Sequence, residues 1–262
     1  TIAKRFKAVG VESTEENRRH YRNLILAAPG LGEYVSGVIL FEETLRQHAD
    51  DGASLPSVAA KQGIVPGIKV DKGKGPMVNA PGDEITEGLD GLAQRLEDYK
   101  QLGARFAKWR NVYHITDTNP SRAAIERSAE VNEAVINEVF QALRRHHVEL
   151  ETMILKPSMV TPGNANGQKA SPEDVAKHTL RVFRRVVPAA VPGINFLSGG
   201  QTPAEATLNL NAMNSGPALP WTLSFSYGRA LQEPAQKAWA GISSNREAAQ
   251  AAMVKRARLN SL

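Results

Sequence analysis

Lys156 stands at the centre of a nearly all-apolar run, Thr152-Met-Ile-Leu-Lys156-Pro-Ser-Met-Val160. A strand of this composition is expected to be buried on both faces, as in a parallel sheet covered by helices. Desolvation disfavours the charged form of an ammonium group, and the neutral amine that results is a nucleophile. The chemistry such an amine serves is Schiff-base formation on a carbonyl substrate, assisted when a second cation lies nearby. A second lysine qualifies. Ala104-Arg-Phe-Ala-Lys108-Trp-Arg110 is a short strand-like run with Lys108 near its C-terminal end and Arg110 close behind. The competing reading of each lysine is a snorkelling side chain, stem buried and amine in water. Lysine is rarely buried in full, so its recurrence in two separate apolar runs weighs against that reading.

Side chains of this kind need elements to position them. Short apolar runs recur at Gly37–Phe41, Gly67–Val70, Ala104–Arg110, Thr152–Val160, Gly193–Leu197 and Trp221–Phe225, and each reads as a strand. Between them lie amphipathic helical patterns, Asp90–Leu102, Ser121–His147, Pro172–Val187 and Pro203–Asn214, several opened by Ser, Thr or Asp followed by Pro or Glu. Strand alternating with helix along the whole chain predicts an α/β fold with a parallel sheet, closing as a TIM (β/α)8 barrel in a single domain over residues 1–262. Six strands are recognisable where a barrel needs eight. The pattern from Ser121 to His147 spans about 27 residues, well beyond the average helix, and reads as two helices joined.

Chemistry in such a barrel sits at the C-terminal ends of the strands. Lys69 ends the second run, Lys108 and Arg110 the third, and Lys156 lies in the fourth. The fifth run passes into Ser198-Gly199-Gly200-Gln201 and the sixth into Ser226-Tyr227-Gly228-Arg229. Gly-rich turns after the last two strands are suited to a phosphate, through backbone N–H groups and helix N-termini. Arg229 adds a forked cation for the same anion. Ordinary strand-to-helix turns also contain glycine, so either turn alone says little. Together they point to a phosphorylated carbonyl substrate gripped by Ser198, Gly199, Gly228 and Arg229, with Lys69 and Arg110 free to hold a second anionic group.

Bulk properties exclude several other classes. The 262 residues are 42% hydrophobic and 23% charged, which is the composition of a folded chain. No apolar run approaches the ~18 residues of a membrane span. Lys and Arg total 32 against 27 Asp and Glu, a net charge of +5 that would serve nucleic acid or a small anion equally well. The basic residues are scattered, and the pairs Arg144-Arg145 and Arg184-Arg185 fall on solvated helix faces without interleaved aromatics, which argues against nucleic acid. With no cysteine, disulfide and thiolate chemistry are excluded. The lack of a signal peptide and of an Asn-x-Ser/Thr acceptor makes the cytoplasm the expected location.

Three further features read as structural. Adjacent histidines, as in His146-His147 beside Glu149 and Glu151, point in different directions at a helix end, so no metal site is expected there. Lys72-Gly-Lys-Gly-Pro76 lacks the spacing of a nucleotide-binding fingerprint and reads as a loop. Tyr227 is placed to donate a proton, yet an aromatic beside a packed strand is more often part of the core.

The chain resembles a known family, the class I (Schiff-base) fructose-bisphosphate aldolases. The matching segments are Glu15–Arg19, Gly37–Phe41, Gly67-Ile-Lys-Val-Asp-Lys-Gly73, Phe106-Ala-Lys-Trp-Arg110, Leu155-Lys-Pro157, Met159-Val-Thr-Pro-Gly163, Phe196-Leu-Ser-Gly-Gly-Gln201 and Phe225-Ser-Tyr-Gly-Arg-Ala230. The resemblance implies that Lys156 forms the Schiff base and that Lys108 assists imine formation and proton transfer. It implies that Lys69 and Arg110 lie around the phosphate at C6, and that Ser198, Gly199, Gly228 and Arg229 hold the phosphate at C1, with Arg5 close by. The implied substrate is a phosphorylated ketose, fructose 1,6-bisphosphate, split in glycolysis and gluconeogenesis without metal or organic cofactor, by an enzyme that is typically a homotetramer.

The sequence also departs from the family. The family's first strand, with an aspartate that acts on the substrate hydroxyls, precedes the segment matched by Thr1. Some tens of residues bearing the fifth strand and two acid-base glutamates belong between about Ala129 and Asn132, an estimate that fits one βα unit. The expected fold is therefore a TIM barrel in which strands 1 and 5, and the family's C-terminal tail, are not represented. If those segments are truly missing, the alternative expectation is a catalytically impaired phosphate-binding or scaffolding relative.

Overall fold

The computed structural model describes residues 2–76, 84–110, 124–162 and 169–261. The chain divides into two compact units, Thr1–Ile115 with Pro234–Arg258, and Thr116–Glu233 with Leu259–Leu262.

The first unit opens with α1 (Ile2–Lys7) and α2 (Glu15–Leu26), the latter capped by Thr14, whose side chain accepts the N–H of Asn17. Then follow β1 (Gly37–Leu40), α3 (Glu42–Arg46), α4 (Leu55–Lys61), β2 (Val65–Lys69), β3 (Gly73–Pro76), β4 (Glu84–Glu87), α5 (Leu92–Gln101) and β5 (Phe106–Lys108). Strands β1, β2 and β5 form a parallel sheet in that order. Gly67 packs closely in this register, where a Cβ would stand 2.3 Å from the ring of Phe106, its cross-strand neighbour. A core cluster joins Phe6 to Tyr21 edge-on at 5.5 Å and Tyr21 to Trp239 at 5.2 Å. Burial pushes the Tyr21 phenol well above its ordinary pKa, so it stays neutral. Glu43 on α3 ties down α2 by ion pairs to Arg18 and Arg22, each at 2.5 Å.

The second unit holds α6 (Ala124–Arg145), β6 (Ile154–Leu155), α7 (Pro172–Val186), β7 (Gly193–Phe196), α8 (Pro203–Asn214) and β8 (Thr222–Phe225). Strands β6, β7 and β8 form a second parallel sheet, each joined to the next through a helix. Phe183 of α7 stacks on Phe196 of β7 with centroids 5.7 Å apart, both fully buried. The starts of α7 and α8 follow the signals in the sequence. Ser171 caps α7 with Pro172 in its first turn, and Thr202 with Glu205 forms a reciprocal capping box ahead of Pro203. The last helices are α9 (Arg229–Trp239) and α10 (Arg246–Ser261). Among the described residues no helix is long and apolar enough to cross a membrane.

All six expected parallel strands are present, while three details differ. Ser121–His147 contains one continuous helix, α6, rather than two joined; no Gly or Pro interrupts Ala124–Arg145. The segment expected as a loop at Lys72–Pro76 contains β3, paired antiparallel with β4 from Gly73↔Glu87 to Pro76↔Glu84. Finally, the Lys156 run is not buried on both faces. Its strand is only Ile154–Leu155, Ile154 is 59% exposed, and Pro157 has no N–H to extend the ladder. Among the described residues β6 pairs with β7 alone, so it forms a sheet edge.

Candidate active site

In the first unit the C-terminal strand ends bring Lys69 and Lys108 side by side, because the β2–β5 register pairs these two residues directly. Like charges opposite one another on one sheet face repel. Asp71, two residues beyond Lys69, answers both. Its side chain is 0% exposed, with Lys69 Nζ 2.8 Å from Oδ1 and Lys108 Nζ 3.6 Å from Oδ2. Lys69 Nζ also donates to the Asp71 carbonyl at 2.5 Å and lies 5.8 Å from the centre of the Phe41 ring. Arg95 of α5 braces this stretch by donating to the carbonyls of Val70, at 3.0 Å, and of Gly88.

The electrostatics follow from burial and these neighbours. Burial alone would raise the pKa of Asp71, but the Lys69 ammonium and the charges of Lys108 and Arg110 outweigh it and hold the carboxyl below its usual value. The pKa of Lys108 is lowered as well, which for an amine favours the neutral form. Burial lowers its pKa, Arg110 and Lys69 lower it further by repulsion, and Asp71 opposes them only in part. A lysine below its ordinary pKa carries a larger neutral fraction and exchanges protons more readily near neutrality.

In the second unit Lys156 follows β6 directly, and its Nζ donates to the carbonyl oxygen and to Oγ of Ser226, at 2.6 and 2.7 Å. Backbone bonds bind the three strand ends together: Leu197 N donates to Pro157 O at 3.0 Å, and Ser226 N to Phe196 O at 2.8 Å. The turn after β7 places Ser198 and Gln201 inside, 6% and 5% exposed, with Gly200 in the left-handed region at φ 78°. Arg229 opens α9 and reaches across to donate to the Gln201 carbonyl at 2.5 Å. Thus the two Gly-containing turns meet, with Ser198, Gly199, Gly228 and Arg229 around the N-termini of α8 and α9, an arrangement suited to an anion.

Most of the residues singled out in the sequence therefore fall into two groups, Lys69, Lys108 and Arg110 in the first unit, and Lys156, Ser198, Gly199, Gly228 and Arg229 in the second. Arg5 sits on α1, where its charge reaches the buried Tyr21. Tyr227 is a core residue: it is 6% exposed and its hydroxyl donates to Ala206 O at 2.8 Å. His146 and His147 lie exposed at the end of α6, and among the described residues no three His, Cys, Asp or Glu side chains are grouped as metal ligands. Sequence reasoning passed over Asp71 and Ser226. Both lie within two residues of a strand's C-terminal end, and that position was the available signal.

A family model described as fructose-bisphosphate aldolase class-I matches residues 1–131 and 123–262. A probable fructose-bisphosphate aldolase class 1 of Xylella fastidiosa is 46% identical over 298 residues, covering 100% of this chain and 89% of that protein. The chloroplastic fructose-bisphosphate aldolase 1 of Chlamydomonas reinhardtii is 48% identical over 295 residues, covering 100% of this chain and 78% of that protein. The solved fructose-bisphosphate aldolase of Plasmodium falciparum, crystallised with TRAP and a small-molecule inhibitor, superimposes with a TM-score of 0.96 at 39% identity, covering 100% of this chain and 86% of that one. The fold is accordingly that of a TIM barrel. Alignments longer than this chain's 262 residues mean that the relatives carry interior residues it lacks, and the two family matches meet at residues 123–131.

Proposed function

Because this chain belongs to the class I fructose-bisphosphate aldolase family, we propose that it cleaves fructose 1,6-bisphosphate reversibly through an imine on Lys156. The amine attacks the C2 ketone, and the carbinolamine loses water to give a protonated imine. As the C4 hydroxyl gives up its proton, the C3–C4 bond breaks and its electron pair moves into the iminium, releasing glyceraldehyde 3-phosphate. Protonation of the resulting enamine at C3 and hydrolysis then release dihydroxyacetone phosphate and the free amine. The imine does the polarising that a metal would otherwise do, so no metal or organic cofactor takes part.

The observation that carries this reading is the doubly anchored Nζ of Lys156, held by Ser226 at a strand's C-terminal end beside the Gly-rich turns. Lys108, with its lowered pKa, assists imine formation and the proton transfers. Ser198, Gly199, Gly228 and Arg229 take the C1 phosphate, with Arg5 contributing charge, while Lys69 and Arg110 take the C6 phosphate. The chain works as one barrel domain in a cytoplasmic homotetramer serving glycolysis and gluconeogenesis; neither nucleic acid nor a membrane is a partner.

The test is borohydride trapping with dihydroxyacetone phosphate, read by intact mass, alongside a cleavage assay. Parental protein should gain a covalent adduct and Lys156→Met should not. Trapping that persists in Lys156→Met would remove that lysine from its role, and a parental protein that neither traps nor cleaves would be a phosphate-binding or scaffolding relative.

A further inference from the structure

We propose that Asp71 is a positioning residue whose buried carboxylate gathers the ammonium groups of Lys69 and Lys108 onto one strand-end face, one against each oxygen. The proposal rests on the reading above for the use to which those lysines are put, and on geometry for the rest.

Three observations argue for it. First, the register sets Lys69 and Lys108 directly opposite each other, so without an anion between them the two cations would push apart. Second, the carboxylate is 0% exposed, and its two oxygens are each met by an ammonium group, Lys69 at Oδ1 and Lys108 at Oδ2. Desolvating a carboxylate and two ammonium groups offsets much of their mutual attraction, so the cluster is poorly explained as a device for stability alone. Third, the backbone on either side is held independently. Arg95 grips the Val70 carbonyl, Val70 N donates to Lys108 O at 3.1 Å, and Lys72 N donates to Glu87 O at 2.9 Å, which aims Asp71 inward.

Among the described residues, the charged groups around Lys108 are Asp71 and Lys69 on the β2 side and Arg110 two residues beyond the end of β5. On the neighbouring elements, Glu42 and Lys72 pair with each other at 3.5 Å and Arg95 is spent on backbone carbonyls. Among the described residues, Asp71 is thus the anion that offsets two repelling cations at Lys108. With it, Lys108 stays in place and keeps part of its proton affinity; without it, both repulsions act unopposed.

The experiment is a pH titration of the lysine side chains by NMR on the full chain, with the Lys108 signal assigned by its loss in Lys108→Arg. In Asp71→Asn the Lys108 midpoint should fall by about one pH unit or more, since the attractive charge is gone and the repulsive ones remain. Asp71→Glu should return it part of the way. Should Asp71→Asn fail to fold, Lys69→Gln carries the test, because it removes a repelling cation and leaves the carboxylate to Lys108 alone, raising its midpoint. An unmoved Lys108 midpoint in a folded Asp71→Asn protein, or no rise in Lys69→Gln, would overturn the proposal. The titration needs no substrate, so its outcome is separable from imine trapping, whose failure would count against the aldolase reading alone.

Discussion

Lys156 and Ser226 lie 70 residues apart in sequence, yet the lysine Nζ meets both the carbonyl and the hydroxyl of that one serine. The contact spans from the end of β6 to the end of β8 across β7, so it depends on the whole of the second sheet being formed. A flexible four-carbon side chain is thereby fixed at its tip.

Ser226→Ala should therefore leave the fold intact and slow imine formation. The backbone carbonyl remains as one acceptor, and loss of the hydroxyl is expected to cost about tenfold in rate, the equivalent of one charge-assisted hydrogen bond. The rate of borohydride-trapped adduct formation with dihydroxyacetone phosphate measures it. An unchanged rate would show that the hydroxyl does not orient the amine.

Arg229→Ala removes the exposed cation at the start of α9. The KM for fructose 1,6-bisphosphate should rise at least about tenfold, as for loss of a forked cation–phosphate contact, while the bond to Gln201 O accounts for about 1 kcal/mol of stability. Steady-state kinetics beside a thermal melt separate the two. A KM equal to the parental value would exclude a phosphate contact there.

Glu43→Gln tests the clamp between α2 and α3. The bond to Arg18 is the largest influence on Glu43; burial opposes it, Arg22 adds to it, and the carboxyl is held below its usual 4.5. For a carboxylate depressed on folding, the stabilisation is complete above that usual value and is lost as pH falls through the folded pKa. Glu43→Gln should cost about 2 kcal/mol at neutral pH, with the gap closing in acid. Urea unfolding at pH 7 and near pH 3 would reveal it, and a gap that stays constant would contradict the charge-based account.

Thr202→Ala breaks the capping box of α8, in which Thr202 N donates to Glu205 Oε2 at 2.9 Å and Glu205 N to Thr202 Oγ1 at 3.2 Å. A loss of about 1 kcal/mol is expected, seen as a lower denaturant midpoint at unchanged slope. Thr202→Ser should restore most of it.

Much of this architecture was legible from residue order alone. Apolar runs located the six parallel strands of the described residues, and Ser171-Pro172 and Thr202-Pro203 announced their helices because capping and the fixed φ of proline act over a few neighbouring residues. What escaped depended on distant partners. Gly73-Lys-Gly-Pro76 has a composition unfavourable to strands, and only its pairing to Glu84–Glu87 makes it one. Composition at Thr152–Val160 suggested a strand covered on both sides, but coverage is decided by neighbours, and Ile154 has one on a single side among the described residues. Lysines 69, 108 and 156 stood out as charges in apolar runs, whereas Asp71 and Ser226 became visible only once the chain had brought them to those amines.

The tight fit of Gly67 against Phe106 reaches further than packing. These residues sit one pleat before Lys69 and Lys108 on the same pair of strands, and the Phe106 ring lies over the space that the glycine leaves. Any side chain at position 67 would have to displace that ring from its place beside the two amines. In a saturation mutagenesis screen, a residue with no functional group at all should tolerate change as poorly as the lysines it serves.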